Sequence, residues 1–286
     1  MNGIVIVDKP QDWTSQDVVS KLRGVFKTRR IGHGGTLDPM ATGVLPVFVG
    51  RATRAVAFFE HAEKTYMATI RLGLTTDTED ITGRVLEEKA VSVTREELET
   101  ALCKFRGEID QIPPMYSAIK VNGQKLYELA RKGREVERQS RKVTVFHLEC
   151  EDFDGIEAKL LVHCSKGTYI RTLCKDIGEA LGCGGCMAAL RRVSAGAYTE
   201  ENAVSLAALV AEENPEKYLL PIDSMFAQHP KVVLTENQEK RCRNGNSFSL
   251  HLADGTYRVY STTGEFLMLA KVEAGVMATI KSFFEV

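Results

Sequence analysis

The sequence predicts an α+β protein built on a mainly antiparallel sheet, with a small β-rich module at its C-terminal end. Helix-like and strand-like segments mix without the regular alternation of a parallel βαβ protein. Several alternating segments are joined by short glycine turns, as in antiparallel hairpins. After about residue 230, short strands and turns dominate. These three observations together favour the α+β class.

The N-terminal part predicts a strand, a capped helix and a second strand. Residues 3–7 (GIVIV) are an apolar run typical of a buried strand. Thr14, with Asp17 three residues later, predicts a capping box at the start of a helix. Residues 43–49 have the composition of another buried strand.

The middle of the chain continues with strands and helices. Residues 64–74 alternate, which places Tyr66 on one face of a strand. A second capping box, beginning at Thr94, predicts a short helix. Residues 142–149 and 156–164 predict paired strands that are joined by a tight turn.

Residues 168–182 (TYIRTLCKDIGEALG) predict an amphipathic helix that ends at Gly182. Arg171 falls in its first turn, where the helix dipole disfavours a cation by about 0.3–1 kcal/mol. An arginine placed against this field suggests a nearby anion, either Asp38 or an RNA phosphate. The alternative is an arginine that extends into solvent.

The C-terminal part begins after a segment with two prolines and a charge cluster, residues 212–221, which predicts a domain end or a linker. A short helix is predicted over 235–243. Three short strands are predicted over residues 256–261, 266–272 and 277–283.

Composition excludes several classes of protein. The chain has 286 residues, of which 44% are hydrophobic, and it contains no apolar run long enough to span a membrane. Its N-terminus does not resemble a signal peptide. Seven scattered cysteines favour reduced thiols in a cytoplasmic protein. The single CxxC pair, Cys183 and Cys186, is more typical of a tight turn than of a zinc or redox site, so no metal is predicted.

Charge is distributed unevenly along the chain. The formal net charge is −1, but residues 21–30 hold five basic side chains and no acidic one. Residues 131–142 hold six basic and two acidic side chains. A polyanion responds to such stripes rather than to the net charge. The two runs are therefore either contact surfaces for a phosphate backbone or solvated faces of helices.

Residues 31–46 (IGHGGTLDPMATGVLP) place one carboxylate, Asp38, among small residues. The glycines do not form a dinucleotide fingerprint, because Leu37 stands where glycine is required, and no phosphate-binding loop is present elsewhere. Asp38 either closes a turn through its own backbone or meets a cation in a pocket. A pairing with Arg171 would favour the ionised carboxylate and a nucleophilic role. Tyr66 and Tyr169 are either core residues or platforms for an extruded base.

Six ordered segments resemble the TruB family, the bacterial tRNA pseudouridine-55 synthases. The central segment runs from Gly32 to Leu45 (GHGGTLDPMATGVL) and resembles the catalytic motif of that family. The other segments are Gly3–Pro10, Lys64–Tyr66, Gln111–Lys120 with Gly123 and Tyr127–Arg131, Ser165–Leu173, and Leu190–Gly196.

The resemblance implies a pseudouridine-synthase fold. It implies a catalytic domain over residues 1–229 that contains an RNA-gripping insertion at about 105–142. A PUA-like RNA-binding domain would occupy residues 230–286. The implied activity is isomerisation of uridine 55 in the T-loop of tRNA, on a flipped-out base and without a cofactor. We therefore expect a cytoplasmic monomer that binds the T-arm of tRNA and needs no membrane, guide RNA or protein partner.

The resemblance also implies roles for particular residues. Asp38 corresponds to the catalytic aspartate, Arg171 to its salt-bridge partner and Tyr66 to the ring that stacks on the uracil. The remaining implied site residues are His33, which helps to displace the base, Tyr169 and Leu190, which line the pocket, and Lys9 with Pro10, which support its floor.

The chain departs from the family pattern at three places. Gly34 and Met40 stand where threonine and leucine are usual, and the CGGCM segment at 183–187 replaces one that often contains histidine. Two alternatives to the enzyme remain open. One is an RNA-binding or chaperone module on the same fold, which would not need both Asp38 and Arg171. The other is a synthase that acts on ribosomal RNA or within a guide-RNA complex.

Overall fold

The computed structural model describes residues 1–121 and 123–285, so Asn122, within the predicted insertion, and Val286 lie outside the described residues. The strands are β1 (Gly3–Lys9), β2 (Ile31–His33), β3 (Thr42–Val49), β4 (Lys64–Leu72), β5 (Leu74–Thr76), β6 (Val85–Glu88), β7 (Gly107–Gln111), β8 (Lys120–Val121), β9 (Gln124–Lys125), β10 (Arg141–Phe153), β11 (Glu157–Cys164), β12 (Gly185–Ala195), β13 (Tyr198–Thr199), β14 (Val204–Ser205), β15 (Lys231–Val233), β16 (Phe248–Ser249), β17 (Gly255–Tyr260), β18 (Phe266–Glu273) and β19 (Val276–Ser282).

The α-helices are α1 (Ser15–Val25), α2 (Val56–Phe59), α3 (Arg95–Cys103), α4 (Leu126–Ala130), α5 (Ile170–Ala180), α6 (Leu206–Ala211) and α7 (Glu236–Arg243). Short 3₁₀ helices occupy Gly50–Ala55, Glu200–Asn202, Pro215–Tyr218 and Ile222–Phe226. Within the described ranges, every helix is too short or too polar to traverse a lipid bilayer.

A long sheet with strand order β14-β1-β3-β12-β4-β11-β10-β7 forms the body of the protein, with β2 on β3 and β13 on β12. Its pairs are antiparallel except β1 with β14 and β3 with β12. A second sheet, of order β15-β17-β18-β19-β16, forms the C-terminal part. The predicted α+β class with a mainly antiparallel central sheet is confirmed.

Local sequence signals determine where several elements begin. Thr14 and Asp17 form the predicted capping box ahead of α1, and Thr94 caps α3 in the same way. In β4 the residues alternate between buried and partly exposed, with Tyr66 on the buried face. Gly182 follows α5 with a φ of +79°, as expected for a helix-ending glycine.

Helices cover one face of the long sheet. Val18 of α1, Leu98 of α3, Leu173 of α5 and Leu206 of α6 join a single buried cluster with sheet residues such as Val5. Because successive strand residues point to opposite faces, this packing leaves the next residues of β1 facing the other side.

The C-terminal sheet packs against that other face. Ile4 and Phe226 share a second buried cluster with Leu269 of β18 and with Phe283, the residue that follows β19. Arg54 also donates a hydrogen bond from Nη1 to the carbonyl of Ser282 at 3.0 Å. The C-terminal part is therefore docked on the body of the protein.

Residues 212–221, predicted to be a domain end or a linker, are paired with the first strand of the body. Leu220 pairs with Ile4 through two backbone hydrogen bonds of 2.9 and 2.8 Å. Pro215 begins the 3₁₀ helix Pro215–Tyr218, and Pro221 directly precedes the next 3₁₀ helix, Ile222–Phe226. The proposed boundary between residues 229 and 230 stays a prediction.

Candidate active site

The loop of residues 34–41, which we call the Asp38 loop, connects β2 to β3. Its start is fixed by a hydrogen bond from the Gly34 amide to the carbonyl of Pro46 at 2.8 Å. At its centre, the Leu37 amide donates to Ser15 Oγ at 2.9 Å, and that hydroxyl donates back to the Leu37 carbonyl at 3.2 Å. The capped start of α1 therefore holds the loop in place.

Lys9 supports the same loop from below. Its side chain is fully buried, and Nζ donates to the carbonyls of Pro10, Trp13 and Pro39 at 2.9, 2.5 and 3.1 Å. Burial lowers the pKa of this lysine to about 8, although the charge of Asp38 acts in the opposite direction. Lys9 Nζ thus contacts the backbone of Pro39, the residue that follows Asp38.

Asp38 and Arg171 form an ion pair. Arg171 Nε lies 2.8 Å from Asp38 Oδ2, and Nη2 donates to Oδ1 at 3.4 Å. The arginine side chain is 6% exposed, whereas that of Asp38 is 36% exposed. A buried cation therefore holds a carboxylate that is accessible from the surface, which is the arrangement a nucleophile or a base requires.

Arg171 is held by further acceptors that sequence reasoning missed. Nη1 donates to the carbonyl of Thr78 at 3.1 Å, and Nη2 donates to that of Tyr116 at 2.8 Å. A second carboxylate, Asp80, lies 4.0 Å from Arg171 Nε. Asp80 is itself oriented by the Thr82 amide, which donates to Oδ1 at 3.0 Å. No local sequence signal marks these contacts.

Two tyrosines and a leucine are the next residues of the predicted site. Tyr66 and Leu190 are each 8% exposed, on the neighbouring strands β4 and β12, and both belong to the core that α5 covers. Tyr169 immediately precedes α5. Burial raises the pKa of both tyrosines, and the negative charge of Asp38 adds to this effect. Both phenols are therefore protonated at neutral pH and near enough to sense Asp38.

His33 lies at the end of β2, before the Asp38 loop. Its Nδ1 is buried and has no hydrogen-bond partner among the residues that the structure describes. Burial lowers the pKa of the imidazole, and the charge of Arg192 contributes in the same direction. The imidazole of His33 is therefore uncharged at neutral pH.

Two departures from the family pattern have a structural explanation. A Cβ at Gly34 would lie 2.5 Å from Phe59 Cδ1, so the phenyl ring occupies the space of a side chain there. Cys183 is a buried free thiol in the turn of Gly184, whose φ is +76°, whereas Cys186 is a buried free thiol on β12. Over residues 1–121 and 123–285, no cluster of three or more metal-binding side chains occurs. Nothing in the structure explains methionine at position 40.

A cavity of about 680 Å³ lies beside this site rather than at it. Its lining includes Lys9, Trp13, Thr42 and Arg191, together with the face of α6, but not Asp38. Ion-pair geometry, and not cavity size, therefore identifies the candidate active site.

Two buried polar side chains complete the surroundings, and neither was expected from the sequence. Gln111, at the end of β7, accepts a hydrogen bond from the Tyr169 amide at 2.7 Å and donates to the Tyr169 carbonyl at 3.0 Å. Arg192 donates from Nε to the carbonyl of Val44 at 2.7 Å. A spacing of 148 residues separates the latter pair, so only the fold could reveal it.

Comparison with protein families gives two adjoining matches. Residues 23–170 match the N-terminal domain of the TruB family of pseudouridylate synthases, and residues 171–227 match the C-terminal domain of tRNA pseudouridylate synthase B. The chain is 43% identical to tRNA pseudouridine synthase B of Clostridium kluyveri over 93% of this chain and 94% of that protein. It is 42% identical to the same-named protein of Francisella philomiragia over 100% and 95%.

Solved structures with the same fold include the Cbf5-Nop10-Gar1 complex. The match has a TM-score of 0.74 and 27% identity, and it covers 99% of this chain and 85% of the other. An H/ACA RNP bound to a substrate RNA containing 2'-deoxyuridine gives a TM-score of 0.73 at 24% identity, over 99% of this chain and 85% of the other. This second likeness concerns the fold alone.

Proposed function

Because the chain belongs to the TruB family of pseudouridylate synthases, we propose that it converts one uridine, at position 55 in the T-loop of tRNA, into pseudouridine. The coarser statement, that it is an isomerase acting on tRNA uridine, follows from its relatives. The observation that carries the finer proposal is the contact of 2.8 Å between Arg171 and a solvent-accessible Asp38.

The proposed reaction is an isomerisation. The N1–C1′ glycosidic bond breaks, the uracil turns within the site, and a C5–C1′ bond forms. The C5 proton leaves to solvent, and N1 takes up a proton. Atoms and electrons balance without an oxidant or a second substrate, so the reaction itself requires no cofactor.

Asp38 would act as an ionised carboxylate. Three routes remain open: attack on C1′, addition to C6 of the uracil, or removal of the 2′ proton. Each requires a negative charge at the nucleoside, and the contact with Arg171 places a cation beside the Asp38 carboxylate. The exposure of Asp38 supports a nucleoside that approaches from the surface.

The target base would have to leave the stack of the T-loop to reach Asp38. Tyr66 offers a ring for stacking on the uracil, and base–aromatic stacking contributes about 1–3 kcal/mol. Leu190 and Tyr169 would form the pocket wall, and the neutral imidazole of His33 would help to displace the base. Lys9 would keep the floor of the pocket fixed through its contact with the loop.

The RNA-binding regions are also part of the proposal. We assign tRNA gripping to the insertion at about 105–142 and a second contact to a PUA-like domain at 230–286. Exposed basic side chains support the first assignment, and they are Lys120, Arg131, Lys132, Arg134 and Arg141. We further propose action as a monomer without guide RNA, since the relatives are each named as a single protein.

The proposal is tested by release of tritium from tRNA labelled at C5 of uridine, together with single-nucleotide mapping of pseudouridine. We expect modification at one uridine of the T-loop. Asp38→Asn should abolish release, because the neutral amide cannot supply a nucleophile or base. Asp152→Asn, which changes an exposed carboxylate on the β10–β11 hairpin, serves as the matched control.

Two outcomes would contradict the proposal. Near-normal tritium release by the Asp38→Asn protein would remove Asp38 from the chemistry. Modification of a uridine outside the T-loop would leave an isomerase but overturn the substrate assignment.

A further inference from the structure

Arg192 is a buried cation for which the proposed chemistry has no role so far. It lies on β12 and is 1% exposed. The adjacent Arg191 pairs with Asp8 and Glu200, whereas within the described part of the chain Arg192 makes no salt bridge to any carboxylate. Burying a charge without a counter-ion is costly. A specific set of hydrogen bonds must therefore compensate for it.

The guanidinium of Arg192 connects the two flanks of the Asp38 loop. Nε donates to the carbonyl of Val44 at 2.7 Å, and Nη2 donates to the carbonyl of Gly35 at 3.2 Å. In the sequence, Gly35 precedes Asp38 by three residues and Val44 follows it by six. The planar fork of one side chain thus fixes both sides of the carboxylate-bearing segment.

The main chain of Arg192 adds a second contact to the same segment. Arg192 stands opposite Gly43 in the parallel pair of β12 and β3. A Cβ at Gly43 would lie only 2.3 Å from the Arg192 carbonyl oxygen. The glycine of β3 therefore allows the close approach that brings the guanidinium to the loop.

Arg192 also borders the stacking residue. In the antiparallel pair of β12 and β4 it stands directly opposite Tyr66, and opposed residues place their side chains on the same face of a sheet. Its charge reaches the neighbouring groups: after burial, it is the next cause of the lowered pKa of His33 and of Lys64. One arginine thus lies between the Asp38 loop and Tyr66.

We propose that Arg192 is a positioning residue that holds the Asp38 loop in register with Tyr66, so that the carboxylate and the ring meet the same nucleoside. This inference rests on the proposed function of Asp38. A positioning role predicts a loss in the chemical step with little change in tRNA binding, because Arg192 itself is not accessible to RNA.

The test is Arg192→Lys, which keeps the charge but replaces the fork by one ammonium group. We expect kcat for tritium release to fall about 100-fold, the typical effect of misplacing a reacting group by about 1 Å. KM for tRNA should change less than about threefold, and Arg192→Met should lose at least as much activity. Rates are expressed per folded protein, as measured by circular dichroism.

Arg191→Lys provides the matched control, on the same strand but in an exposed ion-pair network; it should retain wild-type kcat. A kcat of Arg192→Lys within threefold of wild type would overturn the inference. So would an effect confined to KM, a loss explained by the unfolded fraction, or failure of both Arg192 variants to fold. A wild-type protein that does not isomerise tRNA uridine would instead refute the proposed function.

Discussion

The guanidinium of Arg171 contacts acceptors in several directions, and a single substitution can test how much this geometry matters. Asp38, Thr78 and Tyr116 together accept from all three of its nitrogen atoms. Lysine retains the charge but cannot reach all of these oxygens. We expect Arg171→Lys to lower kcat about 100-fold and the free energy of unfolding by about 1–3 kcal/mol. Single-turnover tritium release and urea denaturation measure the two effects.

A second arginine gives the control for this prediction. Arg71 pairs with Glu157 at 3.4 Å, and both side chains are 39% exposed. Exposed ion pairs contribute about 0–1 kcal/mol, so Arg71→Lys should leave stability and kcat nearly unchanged. Equal behaviour of the two variants would show that the fork geometry of Arg171 is unimportant.

Lys64 predicts a particular dependence of stability on pH. Burial, followed by the charge of Arg192, lowers the pKa of Lys64 from 10.5 to about 8. Between these two values the unfolded chain binds more protons than the folded one, so this group makes the free energy of unfolding rise with pH. Lys64→Met removes that contribution. We therefore expect the stability of wild type, relative to the variant, to increase from pH 8 to 10.5.

Urea denaturation at several pH values across this range measures the difference. Lys104→Met, at an exposed position after α3, tests whether loss of any lysine has the same effect. A wild-type-minus-Lys64→Met difference that stays constant with pH, or falls, would contradict the prediction.

Among the helices, α5 begins differently from α1, α3 and α7. Those three start with a capping box, whereas Tyr169, the residue before α5, provides no side-chain cap. The buried amide of Gln111 bonds the Tyr169 backbone instead. Gln111→Ala would leave the Tyr169 amide without its acceptor, whereas the Tyr169 carbonyl would still accept from the Leu173 amide at 3.0 Å. We expect the free energy of unfolding to fall by about 1–3 kcal/mol.

Chemical denaturation compares this variant with Thr94→Ala, which removes an ordinary N-cap from α3 and should cost about 1 kcal/mol. The distinguishing result is in catalysis, because only α5 carries Arg171. Gln111→Ala should lower kcat, whereas Thr94→Ala should not. An unchanged kcat for Gln111→Ala would show that the contacts at the start of α5 do not determine the position of Arg171.

These elements also show how far sequence reasoning extends. The starts of α1 and α3 and the alternation of β4 follow from local rules, and the structure confirms them. The contacts of Gln111 and Arg192 depend on residues 58 and 148 positions away, for which a single sequence carries no pattern. The prolines and charges of segment 212–221 predict a domain end or a linker, but they do not reveal the pairing of Leu220 with Ile4.

For the whole molecule, docking of the C-terminal sheet predicts cooperative unfolding. Phe283 is 2% exposed and stacks on Phe266 with a centroid distance of 5.1 Å, while Phe226 lies 5.9 Å away. Phe283→Ala should lower the free energy of unfolding by about 3–5 kcal/mol, as expected for a buried phenylalanine. Calorimetry should show one transition for the wild-type protein, since this cluster joins both sheets.

Val276→Ala provides the control, because Val276 lies on β19 of the same sheet but is 43% exposed. It should change stability by no more than about 0.5 kcal/mol. Two well-separated transitions in the wild-type protein would show that the C-terminal part folds independently of the body.

Charge distribution gives the last prediction at this scale. The net charge of −1 would not attract RNA, so binding must depend on local basic surfaces. Lys132 and Arg134 are exposed within the insertion at 105–142. If each neutralises one phosphate, the double variant Lys132→Gln/Arg134→Gln should reduce the slope of log Kd against log salt concentration by about 1.5–2.

Binding of tRNA by the double variant should be weaker than that of wild type at low salt and equal to it at high salt. Lys159→Gln is the control and should preserve the slope, because Lys159 is an exposed lysine paired with Asp152 on the β10–β11 hairpin. Filter binding with an unmodified tRNA transcript measures these slopes, and an unchanged slope for the double variant would remove these two side chains from the RNA contact.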